Sequence, residues 1–547
     1  MKEEFNEKVN SEEIGTKVRK YDPKRNGHKS KSRSKGNRSN KSRNNNNNRA
    51  RLANDVKSSN DPNWYFTDPQ LMESVSKFSF NNFLGYGSGP GYENIPYAVT
   101  FTFNPAAGNP TPKQKLADLR NNGINIAALK LYTTLSSQSG KTTNYGPEDI
   151  SILMLALGSL IETVEFGRRA LGLAFTYNNR NWNYPSNIIH ASGFDASILD
   201  NLAQKRMDFN VAINSINKIV FPSNIAYFAK CAQMYQNVWL DSESPMAQSI
   251  IFAPASAWIL NEEGTEAGSV LNTENWLPYS TWDQYMDLLK RQINAILMSS
   301  TYNYIYGDVL NYASKRSIEL FHLDLVSEAY GVIPMYNANV LSQIHNLQTT
   351  GGPAEEVLYL TSSTETAYST PSNDVHADAE TGCIVYNPAF TYVYGCEDSL
   401  YVDSIVAEPD VNVRVDMTRY AVRCSGSETL YTKGSQTGMS YMKGVTLPDH
   451  YCVAYYIACR ATDGSFTREA KYTFADVYTN SVDNLRAATL GLAQIAAFDW
   501  FPILYITNGS NHKITGVFGD LNFYTELDID YLRPVNTLCY EGLFDLR

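Results

Sequence analysis

The spacing of apolar positions predicts a mainly helical first half of the chain. Residues 112–236 carry apolar side chains at helical intervals. The helix that starts at Pro147 is apolar nearly all round until Glu162, so we expect it to be central and buried. Further helices are predicted over 195–219 and 224–235.

The pattern changes from helix to strand after about residue 330. Thr281 and Gln284 have the spacing of a capping box, which predicts one more helix, and the helical half continues to about Tyr330. Residues 355–478 are rich in Val, Tyr, Thr and Ile, and they predict strands within 355–363, 382–395, 398–406, 411–424 and 451–461. Helical spacing returns at 481–497.

These elements predict an α+β protein in four parts. Residues 1–60 contain too few large apolar side chains to offset the entropy of ordering the chain, and we expect them to be disordered. An α-rich domain is predicted from 61–330 and 479–547, built from both chain ends, with a β-rich domain at 331–478 inserted between them. The length of 547 residues agrees with more than one hydrophobic core.

The cysteines and the apolar runs indicate a soluble protein made on free ribosomes. Seven cysteines form no CxxC pair, and we interpret them as buried free thiols in a reducing compartment. The segment after Met1 is charged rather than apolar, so no secretory signal is expected. The longest apolar runs, 152–161 and 487–507, do not predict a bilayer span.

No arrangement of residues in the sequence predicts catalysis or metal binding. The seven histidines are scattered, and HADAE at 376–380 lacks a second histidine at ligand spacing. The glycine cluster GYGSGPG at 85–91 has neither a nucleophile-elbow nor a phosphate-loop context, so it predicts a turn. We therefore expect no enzyme, metal, cofactor or small-molecule substrate; the sequon at Asn508 is interpreted as accidental.

The strongest chemical signal is a basic segment near the start of the chain. Residues 17–51 hold fourteen Lys or Arg against the single acid Asp22, a balance of +13. Such a flexible polycation can lie along phosphates without reading bases, which predicts non-specific RNA binding; a solubilising tail or a nuclear address are the alternatives. The predicted RNA-binding residues are Lys17, Arg19, Lys20, Lys24, Arg25, Lys29, Lys31, Arg33, Lys35, Arg38, Lys41, Arg43, Arg49 and Arg51.

The rest of the chain has the opposite charge. The whole chain carries −10 and residues 1–16 carry −3, which leaves −20 for residues 52–547. A folded part with this charge would repel RNA. The separation of charges favours an assembly of many copies whose arms point to one side and concentrate positive charge there.

A block in the helical half resembles the capsid proteins of picobirnaviruses. Residues 128–185 carry, in order, an LY pair, a TNY turn, an acid-led apolar helix, a GRR triplet and a YNNRNWNYP loop, as the shell domain of that family does. The basic arm and the helix, strand, helix order also agree. Capsid proteins of partitiviruses share some of these features and are the nearest alternative.

The resemblance implies a role in a virion. It implies an icosahedral shell of dimers around a segmented double-stranded RNA genome, assembled in the host cytoplasm. The α-rich domain would form the shell and the β-rich domain would protrude. The implied partners are further copies of the chain, viral RNA, and a host membrane or receptor during entry.

The resemblance also implies removal of an N-terminal peptide by self-cleavage at an asparagine. Asn48, Asn54 and Asn60 are the candidates on chemical grounds, because an Asn amide in a flexible segment can attack its own carbonyl carbon. Spacing does not select among them.

A non-capsid module is the alternative function. The tyrosine-rich residues 355–478 could present rings that stack on sugars, which would suit a glycan-binding or RNA-binding protein. A jelly-roll capsid is disfavoured by the long helical half, because that fold needs strand patterning throughout.

Overall fold

The computed structural model describes a large part of the chain. The described residues are 65, 68–78, 96–109, 119–140, 143–174, 184–244, 247–262, 269–276, 280–350, 357–358, 373–386, 388, 390–391, 400–423, 427–431, 438–442, 446–460, 466–476, 482–507 and 514–545. The basic arm, the three candidate cleavage sites, the glycine cluster and Asn508 lie outside them.

Twelve α-helices are found among the described residues. They are α1 (Pro69–Ser76), α2 (Gly123–Ser139), α3 (Pro147–Leu173), α4 (Tyr184–Ala191), α5 (Leu202–Ile216), α6 (Ala226–Gln236), α7 (Trp282–Leu297), α8 (Ser300–Arg316), α9 (Ala338–His345), α10 (Val411–Met417), α11 (Val482–Ile495) and α12 (Ile529–Leu543).

The strands are short and spread along the chain. They are β1 (Pro96–Pro105), β2 (Val238–Leu240), β3 (Ser249–Pro254), β4 (Ser256–Asn261), β5 (Val270–Asn275), β6 (Met335–Tyr336), β7 (Val357–Leu358), β8 (Val375–Asp378), β9 (Cys383–Tyr386), β10 (Phe390–Thr391), β11 (Leu400–Ser404), β12 (Ser427–Tyr431), β13 (Gly438–Met442), β14 (His450–Arg460), β15 (Phe466–Lys471), β16 (Phe474–Asp476), β17 (Leu504–Thr507), β18 (Ile514–Phe518) and β19 (Phe523–Leu527).

Helix α1 belongs to a separate unit, residues 1–80. Asp68 caps it by accepting a hydrogen bond from the backbone of Gln70 at 2.9 Å, and Pro69 occupies the first turn. The helix buries none of its residues.

Helix α3 forms the centre of the main core, as the sequence predicted. Pro147 opens it, and the Gly146 amide donates to the Asp149 carboxylate at 2.8 Å, which caps the first turn. Nearly every residue of the helix is buried. It is long and apolar enough to cross a bilayer, but its apolar window lies wholly inside the folded chain, as expected of a core helix.

Glycines in α3 let large rings pack directly against the helix. A side chain at Gly158 would collide with the ring of Tyr227, and one at Gly167 would collide with Tyr285. The Tyr285 hydroxyl donates to the Thr163 carbonyl at 2.9 Å, so its close approach also satisfies a buried polar group.

The main sheet joins distant parts of the chain. Its order is β15-β14-β1-β3-β2-β6, with β1 antiparallel to β14 and parallel to β3. All ten residues of β1 are buried, which suits a central strand. A second sheet has the order β4-β5-β8-β9.

Several local predictions are confirmed. The Thr281 hydroxyl accepts from the Gln284 amide at 3.3 Å and the Gln284 side chain accepts in return from Thr281, which opens α7. Strands are found within 382–395, 398–406 and 451–461, and α11 lies within 481–497. Four of the five described cysteines are buried, as interpreted from the sequence.

Other local predictions are wrong. Residues 411–424 were expected to contain a strand because of their length and composition, but Val411–Met417 is a helix that starts after Pro409 and Asp410. The helical half before Tyr330 also contains β1 to β5. The expected helix over 195–219 is a short 3-10 turn at Ala196–Leu199 followed by α5, because Asn201 adopts a left-handed conformation with φ of 54°.

The fold is α+β, as predicted. Strands β14 and β15, which come from the predicted β-rich domain, pair into the same sheet as β1. The C-terminal helix α12 packs on the early part of the fold, where the Tyr540 hydroxyl donates to the Ala106 carbonyl at 2.7 Å and Glu541 pairs with Lys130. The exact division into four parts stays a prediction.

Candidate assembly surface

An apolar groove lies among β11, β19, α10 and α12. Strands β11 and β19 pair antiparallel, from Leu400 opposite Leu527 to Ser404 opposite Phe523. The groove has a volume of about 700 Å³. We call it the assembly groove, and its lining residues are Val402, Ser404, Ala407, Pro409, Val411, Arg414, Val415, Met417, Thr418, Phe523, Tyr524, Thr525, Leu527, Tyr531, Leu532 and Val535.

A small hydrophobic cluster supports the floor of the groove. Leu400, Val402, Met417 and Leu532 belong to this cluster, which is separate from the main core. The four elements therefore hold together by burying one face each, and the other faces are left at the surface.

Large apolar side chains of these elements are exposed. Val411 is 73% exposed, Phe523 is 53% exposed and Tyr524 is 56% exposed. Ile405 and Val406, in the turn after β11, and Tyr531 on α12 are exposed as well. A contiguous apolar surface of this kind usually marks a place where another molecule binds.

Buried hydrogen bonds fix the walls of the groove. Asp403 and Asn346 bond reciprocally, with the Asp403 amide donating to Asn346 Oδ1 at 2.7 Å and Asn346 Nδ2 donating to the Asp403 carbonyl at 3.0 Å. The Asp403 carboxylate also accepts from the Asn522 amide at 2.6 Å, just before β19. Arg419 donates to Asn536 on α12 at 3.1 Å. The walls of the groove are thus held in place by hydrogen bonds within this chain.

Charged groups near the groove lie at its edge. Arg414 donates through Nε to the Pro409 carbonyl at 2.7 Å, which keeps its head beside the turn. Tyr401 lies opposite Glu526, and the charge of that carboxylate raises the pKa of the Tyr401 phenol. An apolar floor with a polar edge is the usual arrangement of a protein interface.

A second unusual site is a cluster of charged side chains inside the main core. His450, fully buried at the start of β14, lies 2.7 Å from Glu162 Oε1 through Nε2 and 2.8 Å from Asp449 Oδ2 through Nδ1. Cys231 of α6 completes the group: one ligand-type atom each from Glu162, Cys231 and His450 lie within 4.8 Å of one another. We call these three residues the buried triad.

The electrostatics of the cluster follow from its burial and its carboxylates. Burial alone would lower the pKa of His450, but Glu162 and Asp449 outweigh it and raise the pKa to about 9. Burial would raise the pKa of Asp449, yet His450 and Lys230 hold it below its ordinary value. Lys230 Nζ donates to the Tyr420 hydroxyl at 3.1 Å beside the cluster.

Sequence reasoning missed both sites. The groove joins residues 402–418 to 523–535, and the buried triad joins positions 162, 231 and 450, so neither has a local spacing signal. The valines of α10 were counted as strand composition, so they gave no sign of a groove. The predicted RNA-binding and cleavage residues lie outside the described part of the chain.

Comparison with known proteins gives a consistent result. The family profile described as Picobirnavirus, Capsid protein matches residues 64–408. A capsid protein precursor of Human picobirnavirus (strain Human/Thailand/Hy005102/-) is 22% identical over a 516-residue alignment that covers 89% of this chain and 91% of that protein.

A solved structure shows the same fold. The X-ray crystallographic structure of the picobirnavirus capsid superposes with a TM-score of 0.69 at 16% sequence identity, covering 89% of this chain and 98% of that one. The resemblance noted in residues 128–185 is therefore confirmed, and because the family profile spans more than half of its length, this chain belongs to the picobirnavirus capsid protein family.

Proposed function

We propose that copies of this viral capsid protein contact one another through the assembly groove, form dimers, and build an icosahedral shell around a double-stranded RNA genome. A capsid protein is a structural component of the virion and assembles with copies of itself. The observation that carries the proposal is the exposed, preformed apolar groove, because self-association is the interaction that a capsid subunit must make.

We further propose that the basic arm binds the genome without reading its sequence. The +13 balance of residues 17–51 against −20 in residues 52–547 supports this role. In a closed shell, arms that point inward would neutralise phosphate, while the acidic remainder of each copy would not need to touch RNA.

The groove proposal is tested with two matched substitutions. Tyr524 in the groove and Tyr304 on α8 are both 56% exposed, so Tyr524→Asp and Tyr304→Asp place equal charges at equally exposed positions. Electron microscopy of purified protein should show particles for the wild type and Tyr304→Asp, and unassembled protein for Tyr524→Asp. Normal particles from Tyr524→Asp would show that the groove is not a contact between copies.

The arm proposal is tested by deletion and by charge removal. Deleting residues 1–60, or replacing the fourteen arm cations by Gln, should leave particles that contain far less RNA, measured by the absorbance ratio at 260 and 280 nm. Replacing the four asparagines at 44–47 by Ser keeps the charge and leaves the candidate cleavage residue Asn48 in place, and this variant serves as the control. Equal RNA content in all of these particles contradicts the role of the arm.

We also retain the implied N-terminal processing, entry function and protruding domain as proposals. Mass spectrometry of purified particles should find a new N-terminus after Asn48, Asn54 or Asn60, and Ala at the correct position should abolish it; an intact Met1 terminus contradicts self-cleavage.

The pairing of β14 and β15 with β1 favours a protruding segment that ends before β14 begins at His450. Contact with a host membrane or receptor, and assembly in the host cytoplasm, belong to the same proposal.

A further inference from the structure

We propose that the buried triad, Glu162, Cys231 and His450, binds a transition-metal ion of the Zn²⁺ type that stabilises the main core. One carboxylate oxygen, one thiol sulfur and one ring nitrogen lie within 4.8 Å of one another, and all three residues are buried. These are the donor types found in protein zinc sites, and three such donors can hold the ion with a fourth position left for another oxygen.

The three donors are held by elements that already pack together. Glu162 lies in the middle of α3, Cys231 lies on α6, and His450 begins β14. Because α3, α6 and β14 all contribute to the main core, the donor atoms cannot separate without opening that core. Rigid support of this kind is what a structural metal site needs.

Asp449 gives His450 the orientation of a metal ligand. Asp449 Oδ2 lies 2.8 Å from Nδ1, which directs Nε2 toward Glu162. Histidines that bind metals commonly hold their second nitrogen against a carboxylate in this way, since that contact fixes the ring and the tautomer.

A buried oxygen near the triad lacks a hydrogen-bond partner among the residues that the structure describes. The Tyr235 hydroxyl makes no hydrogen bond to any described residue, and Tyr235 lies on α6 one helical turn after Cys231. Buried polar atoms are normally paired, so an unpaired hydroxyl points to a missing group. A metal ion or its bound water beside the triad would supply that group.

The charges around the triad allow a divalent ion. The carboxylates of Glu162 and Asp449 are offset by Lys230 and Arg419, both of which act on Asp449. Replacing the protons on His450 and Cys231 by one divalent ion leaves the net charge of the site unchanged. The ion therefore adds no uncompensated charge to the core.

The donor chemistry also selects the kind of metal. A thiolate and an imidazole favour Zn²⁺ or Co²⁺ over Mg²⁺ and Ca²⁺, which prefer oxygen ligands. The competing interpretation is a metal-free site in which His450 is held only by its two carboxylates, and metal analysis separates the two.

The test uses the full chain, expressed without a histidine tag and refolded with excess ZnSO₄ before desalting. Metal analysis by plasma mass spectrometry should find about one zinc ion per chain in the wild type. Cys231→Ser should reduce the zinc content roughly tenfold or more. Cys459→Ser changes another buried cysteine, at the far end of β14, and should keep the full zinc content.

Cobalt gives a second measurement that does not depend on a variant folding well. Wild-type protein refolded with CoCl₂ should show a thiolate-to-cobalt absorption band, and its midpoint of thermal unfolding should exceed that of the metal-free protein. His450→Gln should weaken both effects. Zinc content below about a tenth of an ion per chain in the wild type, no cobalt–thiolate band, or full zinc retention by Cys231→Ser would each overturn the proposal.

Discussion

The main core holds charged side chains in its interior, whereas the assembly groove leaves large apolar side chains at the surface. The main core contains Glu162, Asp449 and His450, all nearly inaccessible to solvent, whereas the groove leaves Val411, Phe523 and Tyr524 exposed. Charges are normally solvated and large apolar groups are normally buried. Each departure costs free energy unless another group compensates it.

Substitutions in the two regions should also affect different properties of the protein. A change in the charged cluster of Glu162, Asp449 and His450 alters packing around α3, at the centre of the main core, whereas a change at Val411 leaves the small hydrophobic cluster under the groove intact. We therefore expect substitutions in the charged cluster to change the free energy of unfolding, and substitutions at exposed positions of the groove to change assembly.

The largest expected effect comes from breaking the buried charges. Glu162→Gln removes one of the two carboxylates that hold His450, and we expect the free energy of unfolding to fall by about 3–5 kcal/mol. Urea unfolding of unassembled protein at one fixed concentration measures this. Asp410→Asn is the matched control, because Asp410 is exposed and its side chain makes no capping bond; it should change stability by less than about 0.5 kcal/mol. Equal effects of the two changes would remove the distinction between the regions.

Two positions in α10 separate folding from assembly within one helix. Met417, which is 4% exposed, belongs to the small cluster under the groove, and Met417→Ala should lower the free energy of unfolding by about 2–5 kcal/mol.

The other position in α10 is Val411, at the opposite end of the helix. Val411→Ser should leave the free energy of unfolding nearly unchanged, because the Val411 side chain is exposed in the single chain. It should weaken the association between copies by about 1–2 kcal/mol, because the apolar side chain would be buried only at the contact between them. The protein concentration at half assembly, measured by light scattering, reports this change. If Val411→Ser reached half assembly at the same protein concentration as the wild type, this end of the groove would not be in contact with another copy.

His376 provides an intermediate case, since it is half-buried on β8. Burial lowers the pKa of His376 below its ordinary value, and Asp374 opposes this only in part. The unfolded chain therefore binds this proton more readily, and stability should fall as pH decreases through about 6.5. Unfolding midpoints between pH 7.5 and 5 should fall less steeply in His376→Gln, whereas His322→Gln, at an exposed position, should behave as the wild type. Parallel wild-type and His376→Gln curves would contradict this assignment.

The smallest expected effect comes from a charge pair at the surface. Arg291 contacts both carboxylate oxygens of Glu274 at 2.5 Å, but both side chains are more than two-fifths exposed. Glu274→Gln should lower the free energy of unfolding by about 0.5 kcal/mol or less in low salt, and the difference from the wild type should shrink as NaCl is added. If Glu274→Gln lowered the free energy of unfolding as much as Glu162→Gln, burial would not decide how much a charge pair contributes to stability.

Local signals in the sequence predicted what local physics controls. Pro147 predicted the start of α3 because proline suits the first turn of a helix, and Thr281 with Gln284 predicted the start of α7 because a capping box joins residues three positions apart. The apolar character of α3 sufficed to predict a buried helix, since no other environment in a folded chain suits it.

The same local reasoning failed where distant residues decide the structure. The composition of residues 411–424 suggested a strand, but Val411–Met417 is a short helix that exposes Val411 while burying Met417. Strand β1 was missed because its stability comes from pairing with β3 and β14, which lie far away along the chain.

The sequence by itself determined the α+β class, the central helix, the separation of a basic arm from an acidic remainder, and the resemblance to picobirnavirus capsid proteins. These depend on composition, on short-range periodicity and on a contiguous block of residues. Only the tertiary structure decided which side chains meet in the assembly groove and the buried triad. Their members lie tens to hundreds of positions apart, and such contacts are set by how the sheets and helices pack, which no local pattern encodes.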